Sequence, residues 1–228
     1  MAADEVMVRI AAEQGLASLR FYGWSEATVS LGYFQSADAR LTDRLIAPLP
    51  FVRRPSGGAT LVHHHELTYA LALPPGPIWH AAEPWMPRMH RIAIEALMSL
   101  GVTHVLELSG NATLRHGDVL CFQQFTPGDL LCKGRKVGGS AQRKHHRALM
   151  QHGSVLLRQS EFTPALPGIQ ELSGIVLTNQ NLRDALLHEF IRDTGWHVDE
   201  SDWSPAERRT IDELAETKYR SKEWNERR

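Results

Sequence analysis

The stretch Gly134-Arg135-Lys136-Val137-Gly138-Gly139-Ser140-Ala141-Gln142, with Gln151-His152-Gly153-Ser154 shortly after it, constrains this chain more than any other. Three glycines fall within six residues, and Lys136 stands among them. Glycine lets backbone approach a ligand closely and tolerates positive φ. A lysine in such a run sets a compact positive charge beside open backbone. Two readings fit these residues. One is a grip on the oxygen of an acyl or phosphoryl group; the other is a glycine-rich hairpin with a solvated lysine. The surrounding chain has to decide between them.

Composition narrows the classes. The chain has 228 residues, 43% of them hydrophobic and 22% charged, as in ordinary globular proteins that bury a sizeable core. A formal net charge of −1 supplies no bulk attraction to nucleic acid or to an anionic membrane. No apolar run approaches a membrane span, and Met1-Ala2-Ala3-Asp4-Glu5 lacks a secretory pattern. Two cysteines, Cys121 and Cys132, are too few for a disulfide framework, so free thiols in a reducing cytoplasm are expected. Without a repeat, low-complexity tract or linker, one domain over residues 1–228 is expected.

Periodicity predicts a helix from about Asp4 to Leu19, with Val8, Ala11, Ala12 and Leu16 on one face and Gly15 weakening its end. Strands are predicted near 19–24 and 27–33, and a short helix over 36–45. Phe51-Val52-Arg53-Arg54 reads as a strand, Pro55-Ser56-Gly57-Gly58 as a loop, and 59–62 and 67–73 as strands. A helix from about Glu83 or Pro87 to Leu100 buries Met89, Ile92, Ala93, Ala96 and Leu100 and stops at Gly101. Val102 to Leu108 reads as a strand. Turns follow at Ser109-Gly110-Asn111 and His116-Gly117-Asp118, the second leading into Val119-Leu120-Cys121-Phe122. Strands at 130–133 and 154–157 and a helix over 179–194 come next. Ser204-Pro205-Ala206-Glu207 has the cap, proline and glutamate of a helix start.

Several side chains are candidates for chemistry. Arg53 and Arg54 beside a Ser-Gly-Gly loop suit an anionic or carbonyl-bearing ligand, or are a charged strand end next to a tight turn. His63-His64-His65-Glu66 invites a zinc reading, because alternate strand residues share a face; without a spaced helical histidine pair or cysteines, no metal is expected, and a ligand-facing His63 is. Cys121 is either an inert core thiol or a nucleophile favoured by a nearby cation, for which Lys136 is the candidate. Cys132 reads as structural. Arg143-Lys144-His145-His146 reads as a basic exposed loop.

The ordered set Arg53-Arg54-Pro55-Ser56-Gly57-Gly58, His63, Glu66-Leu67-Thr68-Tyr69, the lysine stretch and Gln151-His152-Gly153-Ser154 resembles the lipoate-protein ligase, octanoyltransferase and biotin-protein ligase family. Trp24, Leu31-Gly32-Tyr33-Phe34-Gln35 and Tyr219 with Trp224-Asn225 also fit it. The Arg-Asn-Asp run usual in ligases is missing, and Asn111 stands isolated. Cys121 before Lys136 resembles the cysteine-dependent octanoyltransferase branch. Thr60-Leu61, His64-His65 and Gly139 depart from the family pattern, which bears on acyl and acceptor preference.

The resemblance implies an α+β fold, a mixed and largely antiparallel sheet with flanking helices, like a biotin-ligase catalytic domain. It implies transfer of an octanoyl (or lipoyl) group from acyl carrier protein to a lysine of lipoyl-domain proteins or glycine-cleavage H protein through a Cys121 thioester, with no cofactor. The alternatives are an ATP- and Mg-dependent lipoate ligase and a non-catalytic acyl-binding module. Cys121 and Lys136 would be catalytic, with Lys136 and the amides of a Gly138-Gly139 turn stabilising the oxyanion. Arg54, Ser56, Gly57, Gly58, His63, Ser140, Gln142 and His152 would contribute to substrate binding. A Lys136→Ala variant is expected to fold normally and be nearly dead.

Overall fold

The computed structural model describes residues 1–77, 79, 83–109, 114–115 and 120–227. The turns expected around Gly110-Asn111 and His116-Gly117-Asp118 lie outside the described residues. The chain is α+β, with a mixed and largely antiparallel set of sheets and flanking helices.

The main sheet has six strands in the order β1-β5-β11-β10-β9-β6, every neighbouring pair antiparallel. They are β1 (Ser18–Tyr22), β5 (Glu66–Leu73), β6 (Val105–Glu107), β9 (Leu130–Cys132), β10 (Arg135–His145) and β11 (Ala148–Leu156). A smaller sheet joins β2 (Thr28–Leu31) to β3 (Phe51–Arg53) in parallel and to β4 (Leu61–His63) antiparallel. β7 (Leu114–Arg115) and β8 (Gln124–Phe125) form a two-stranded ribbon.

Alternation along the strands divides the main sheet into two faces. Leu67, Tyr69, Leu71, Leu73, Val137, Leu149 and Val155 pack on helices α2 (Trp85–Ser99) and α4 (Asn179–Thr194), forming the larger core. Ala70, Ala72, Ala148 and Met150 lie on the other face beneath Met7, Val8 and Ala11 of α1 (Ala2–Gln14). β5 is consequently buried at all eight positions, although its sequence alternates only on one face. The small sheet has its own core of Val29, Leu31, Ile46 and Val62, which Leu120 and Phe122 complete.

Local chemistry explains several boundaries. The first helix ends at Gln14, short of the expected Leu19, because Gly15 caps it in the left-handed conformation at φ 71°. Leu16 therefore lies outside the helix and is exposed. The Thr178 and Ser204 side chains cap α4 and α5 (Pro205–Leu214) through reciprocal capping boxes. Beyond Leu214 the chain continues as a π-helical turn over Ala215–Tyr219. Among the described residues no helix is long and apolar enough to cross a membrane.

Candidate active site

A cavity opens between the uncovered part of the main sheet and the loop that follows β3. It encloses about 830 Å³ of empty space, a figure that includes its open, solvent-filled mouth. Gly139, Ala141, His152, Ser154 and Thr68 supply the sheet wall, and Gly57, Gly58, Ala59 and Leu61 face them. Cys121, Phe122, Gln124, Thr126, Asp129 and Lys136 close one side.

Lys136 and Cys121 meet there. The ammonium of Lys136 lies 3.8 Å from Cys121 Sγ and donates to the carbonyls of Gln124 (3.0 Å) and Cys121 (3.3 Å). It also contacts Asp129 Oδ2 at 2.7 Å, and both partners of that ion pair are buried. Asp129 Oδ2 is itself held by the Thr126 amide at 2.7 Å and the Thr126 hydroxyl at 3.1 Å. The register fixes this grouping. β9 and β10 form a hairpin around Lys133-Gly134, and a shift between Lys136 and Gly138 interrupts the ladder at the lysine. Cys121 arrives from elsewhere: its amide donates to Thr60 O at 2.7 Å, beside a parallel bridge between Thr60 and Leu120.

Gly138 and Gly139 do not form the expected turn. They are strand residues of β10, paired with Val155 and Ser154 of β11, and their lack of side chains serves packing. A Cβ on Gly138 would come within 2.9 Å of Leu130 Cδ1. One on Gly139 would lie 3.3 Å from Lys136 Cε and 3.2 Å from Asp129 Oδ1, so Gly139 makes room for the ion pair.

The two arginines are engaged by the protein's own backbone. Arg53 is fully buried and donates to the carbonyls of Gly32, Gln35, Trp224 and Asn225, tying the C-terminal segment to β3. Arg54 donates to the carbonyls of Ser30, Gly57 and Ala59 and thereby shapes the loop over the cavity. Gly58 sits at φ 94° in that loop, and Gly32 is apposed to its carbonyl so closely that any Cβ would collide. Arg54 also lines the cavity. Burial pulls its pKa down to about 10, and the charge of the Cys121 sulfur acts in the opposite direction. Arg54 thus stays cationic at neutral pH, within the field of that sulfur.

His63 lines the cavity through a locked ring. It stacks on Trp24 with centroids 4.1 Å apart and planes 3° from parallel. Its Nδ1 donates to Glu66 Oε1 at 2.5 Å, and Thr68 and Trp24 extend the chain of hydrogen bonds. His63 Nε2 is buried and has no hydrogen-bond partner among the described residues. His152 is also buried in the wall; Ser56 Oγ bonds its Nε2, and Asp4 Oδ2 lies 3.8 Å from its Nδ1. Burial pushes the His152 pKa below the ordinary histidine value, against the pull of Asp4.

Not every expected residue reaches the cavity. Ser56 acts behind His152 and is absent from the lining, as is Gly138. Gln142 is exposed and bonds Gln151 at 2.7 Å; it directly follows the wall residue Ala141, and strand alternation turns it to the opposite face of the sheet. Ser140 lines the cavity and bonds His90 Nε2 at 2.7 Å. Cys132 is packed in the larger core, where burial raises its thiol pKa.

Asp129 is the member of the cluster that sequence reasoning missed. Only the hairpin register, which pairs Leu130 with Gly138, places it beside Gly139. The possible zinc set of His63, His65 and Glu66 does not form, since His64-His65 is the turn between β4 and β5 and His63 is paired with Glu66. His64, His65 and Glu161 bring ligand atoms within 4.8 Å of one another, but the Arg158 guanidinium sits on both ring nitrogens of His65.

A sheet-floored cavity with a cysteine sulfur and a clamped lysine at one side is the arrangement of a ligand-binding or catalytic domain of α+β type. Residues 1–186 match the lipoyl protein ligase A/B catalytic domain. The chain is 29% identical to octanoyltransferase LipM of Bacillus subtilis, across 100% of its own length and 93% of that protein. It is 30% identical to octanoyltransferase LipM of Symbiobacterium thermophilum, covering 92% and 87%. Among solved structures, a bi-partite lipoate protein ligase of Thermoplasma acidophilum superposes with a TM-score of 0.73 at 19% identity, over 99% of this chain and 89% of that one. The chain belongs to the lipoyl protein ligase A/B catalytic domain family.

Proposed function

We infer that an octanoyl group crosses this protein on the sulfur of Cys121. The chain is an octanoyltransferase of protein lipoylation. In the first step an octanoyl thioester on acyl carrier protein enters the cavity and the Cys121 thiolate attacks its carbonyl carbon. A new C–S bond forms, the carrier's C–S bond breaks, and the carrier thiol leaves with a proton. In the second step the neutral amine of a target lysine, on a lipoyl-domain protein or glycine-cleavage H protein, attacks the Cys121 thioester. The amide C–N bond forms, the acyl C–S bond to Cys121 breaks, and the proton lost by the amine passes to solvent as the Cys121 thiolate is regenerated.

Lys136 has two duties in this scheme. Its ammonium stabilises the thiolate and then the oxyanion of each tetrahedral intermediate, a position where one donor is worth on the order of a hundredfold or more in rate. Asp129 fixes the ammonium beside the sulfur and offsets its charge. An internally compensated pair suits a neutral thioester substrate better than a carboxylate with ATP, which would meet the Asp129 charge. The observation that carries the reading is the 3.8 Å approach of Lys136 Nζ to Cys121 Sγ inside the cavity.

The test mixes the protein with octanoyl-acyl carrier protein in the absence of ATP and maps the mass of the peptide carrying Cys121. An octanoyl adduct on that peptide, missing in Cys121→Ala, is the expected result. Full transfer by Cys121→Ala, or adduct formation only through an acyl-adenylate when ATP and lipoate are supplied, would overturn it.

A further inference from the structure

The β10–β11 hairpin ends in a cluster that the transfer chemistry leaves unused. Arg143, Lys144, His145, His146 and Arg147 follow one another, and all but the half-buried His145 are exposed. His145 pairs with Ala148, so the turn consists of His146 and Arg147 alone. Both have left-handed backbone, at φ 44° and 70°. Two-residue turns of this kind favour glycine or asparagine, because side chains on L residues resist that conformation. The neighbouring β9–β10 turn shows the relaxed solution, with Gly134 at its second position. Basic side chains held where glycine would be unstrained point to a task for those side chains.

The cluster is joined to the cavity by the same two strands. β10 delivers Lys136, Gly139 and Ala141 to the wall and β11 delivers His152 and Ser154. Ala141 to His146 spans roughly 17 Å of strand. Arg143 Nη1 donates to Pro55 O at 2.8 Å, next to the loop whose Gly57 and Gly58 line the cavity. Arg143 and Arg227 lie 5.7 and 4.6 Å from the Tyr33 ring, and Phe34, which is 69% exposed, stands edge-on to that ring. The nearby acid Glu5 is already compensated: burial would raise its pKa, but Lys218, Tyr219 and Arg9 outweigh this and bring it to about 2. A protein with a net charge of −1 thus concentrates cations around an exposed aromatic beside its cavity.

We propose that this surface docks an acidic face of the protein domain that presents the target lysine. The proposal rests on the transfer reading above. A lysine side chain is short, so the domain carrying it has to rest against the rim of the cavity. An ordinary interface covers about 800 Å² of each partner, a footprint about 30 Å across, and the hairpin falls within that distance. Arginine and aromatic residues are the types enriched at such contacts, and a charged rim accelerates encounter.

The test separates the two half-reactions. Lys144→Glu/Arg147→Glu is loaded with octanoate from a small octanoyl thioester, then mixed with a purified lipoyl domain at varied concentration and salt. Loading and transfer to free lysine amide are expected to match the unsubstituted protein. Half-saturation by the lipoyl domain is expected to rise about tenfold or more, with the limiting rate unchanged and the salt dependence flattened. A second variant, Lys144→Gln/Arg147→Gly, relaxes the turn, and it should be at least as stable and still bind the domain more weakly. Equal half-saturation in all three proteins, or salt-independent transfer by the unsubstituted one, overturns the docking proposal. Failure of the unsubstituted protein to load Cys121 overturns the transfer reading instead.

Discussion

Replacing Lys136 by methionine separates what the lysine does for the reaction from what it does for the fold. At 3.8 Å from Cys121 Sγ, a unit charge interacts with a thiolate by about 4 kcal/mol at an effective dielectric constant near 20, close to three decades in rate. Asp129 opposes part of this, so acylation should slow by roughly 10²- to 10³-fold. The same substitution leaves the Asp129 carboxylate buried with Thr126 as its donor among the described residues, and breaking a buried pair in this way costs about 3–5 kcal/mol. Against the expectation of normal folding, a lysine-deleted variant is predicted to be destabilised. Lys136→Met/Asp129→Asn removes both charges and should regain most of the stability, because matched removal of buried partners is far milder than removal of one. It should regain none of the activity. Urea unfolding measures the first quantity, and the time course of the octanoyl adduct on Cys121 measures the second. If the double variant recovered its acylation rate together with its stability, Lys136 would be a structural residue and the electrostatic argument would be wrong.

Three further outcomes follow from the geometry. Burial lowers the pKa of both His152 and His90 relative to the unfolded chain, so the unfolded state takes up more protons as pH falls. Stability should be level above about pH 7 and decline from near pH 6.5 downward, by up to about 1.4 kcal/mol per pH unit per histidine. Urea midpoints between pH 7.5 and 5.5 check this, and a flat profile contradicts it. Gly32→Ala drives a methyl group into the Gly58 carbonyl, so the loop over the cavity must move; a loss of about 1–3 kcal/mol is expected, together with slower acylation of Cys121, and an unchanged rate would show that the loop does not shape the site. Arg53→Lys cannot reproduce a planar fork that reaches the carbonyls of Gly32, Gln35, Trp224 and Asn225, and should cost on the order of 3 kcal/mol in thermal or urea unfolding.

Local sequence determined much of this protein. The caps at Ser204 and Thr178 and the stop at Gly15 act within one helical turn, so their signals survive without the rest of the chain. The helix over Asn179–Thr194 was legible to the residue, and the ordered motifs carried the family and the pairing of Cys121 with Lys136 as candidates. Tertiary structure decided how those candidates are used. Arg53 and Arg54 look like ligand-binding groups in sequence, yet in space both are surrounded by backbone carbonyls, those of Arg53 from distant segments and those of Arg54 from Ser30 and its own loop. Gly138 and Gly139 look like a turn, but the pairing of β10 with β11 extends them and turns their missing side chains into room for an ion pair. Asp129 has no marking of its own in sequence; it matters only because a hairpin register sets it opposite Gly139 and beside the lysine. The physical reason is one of range: helix caps and strand alternation depend on neighbours a few residues away, whereas the field at one sulfur depends on charges that approach it from separate parts of the chain.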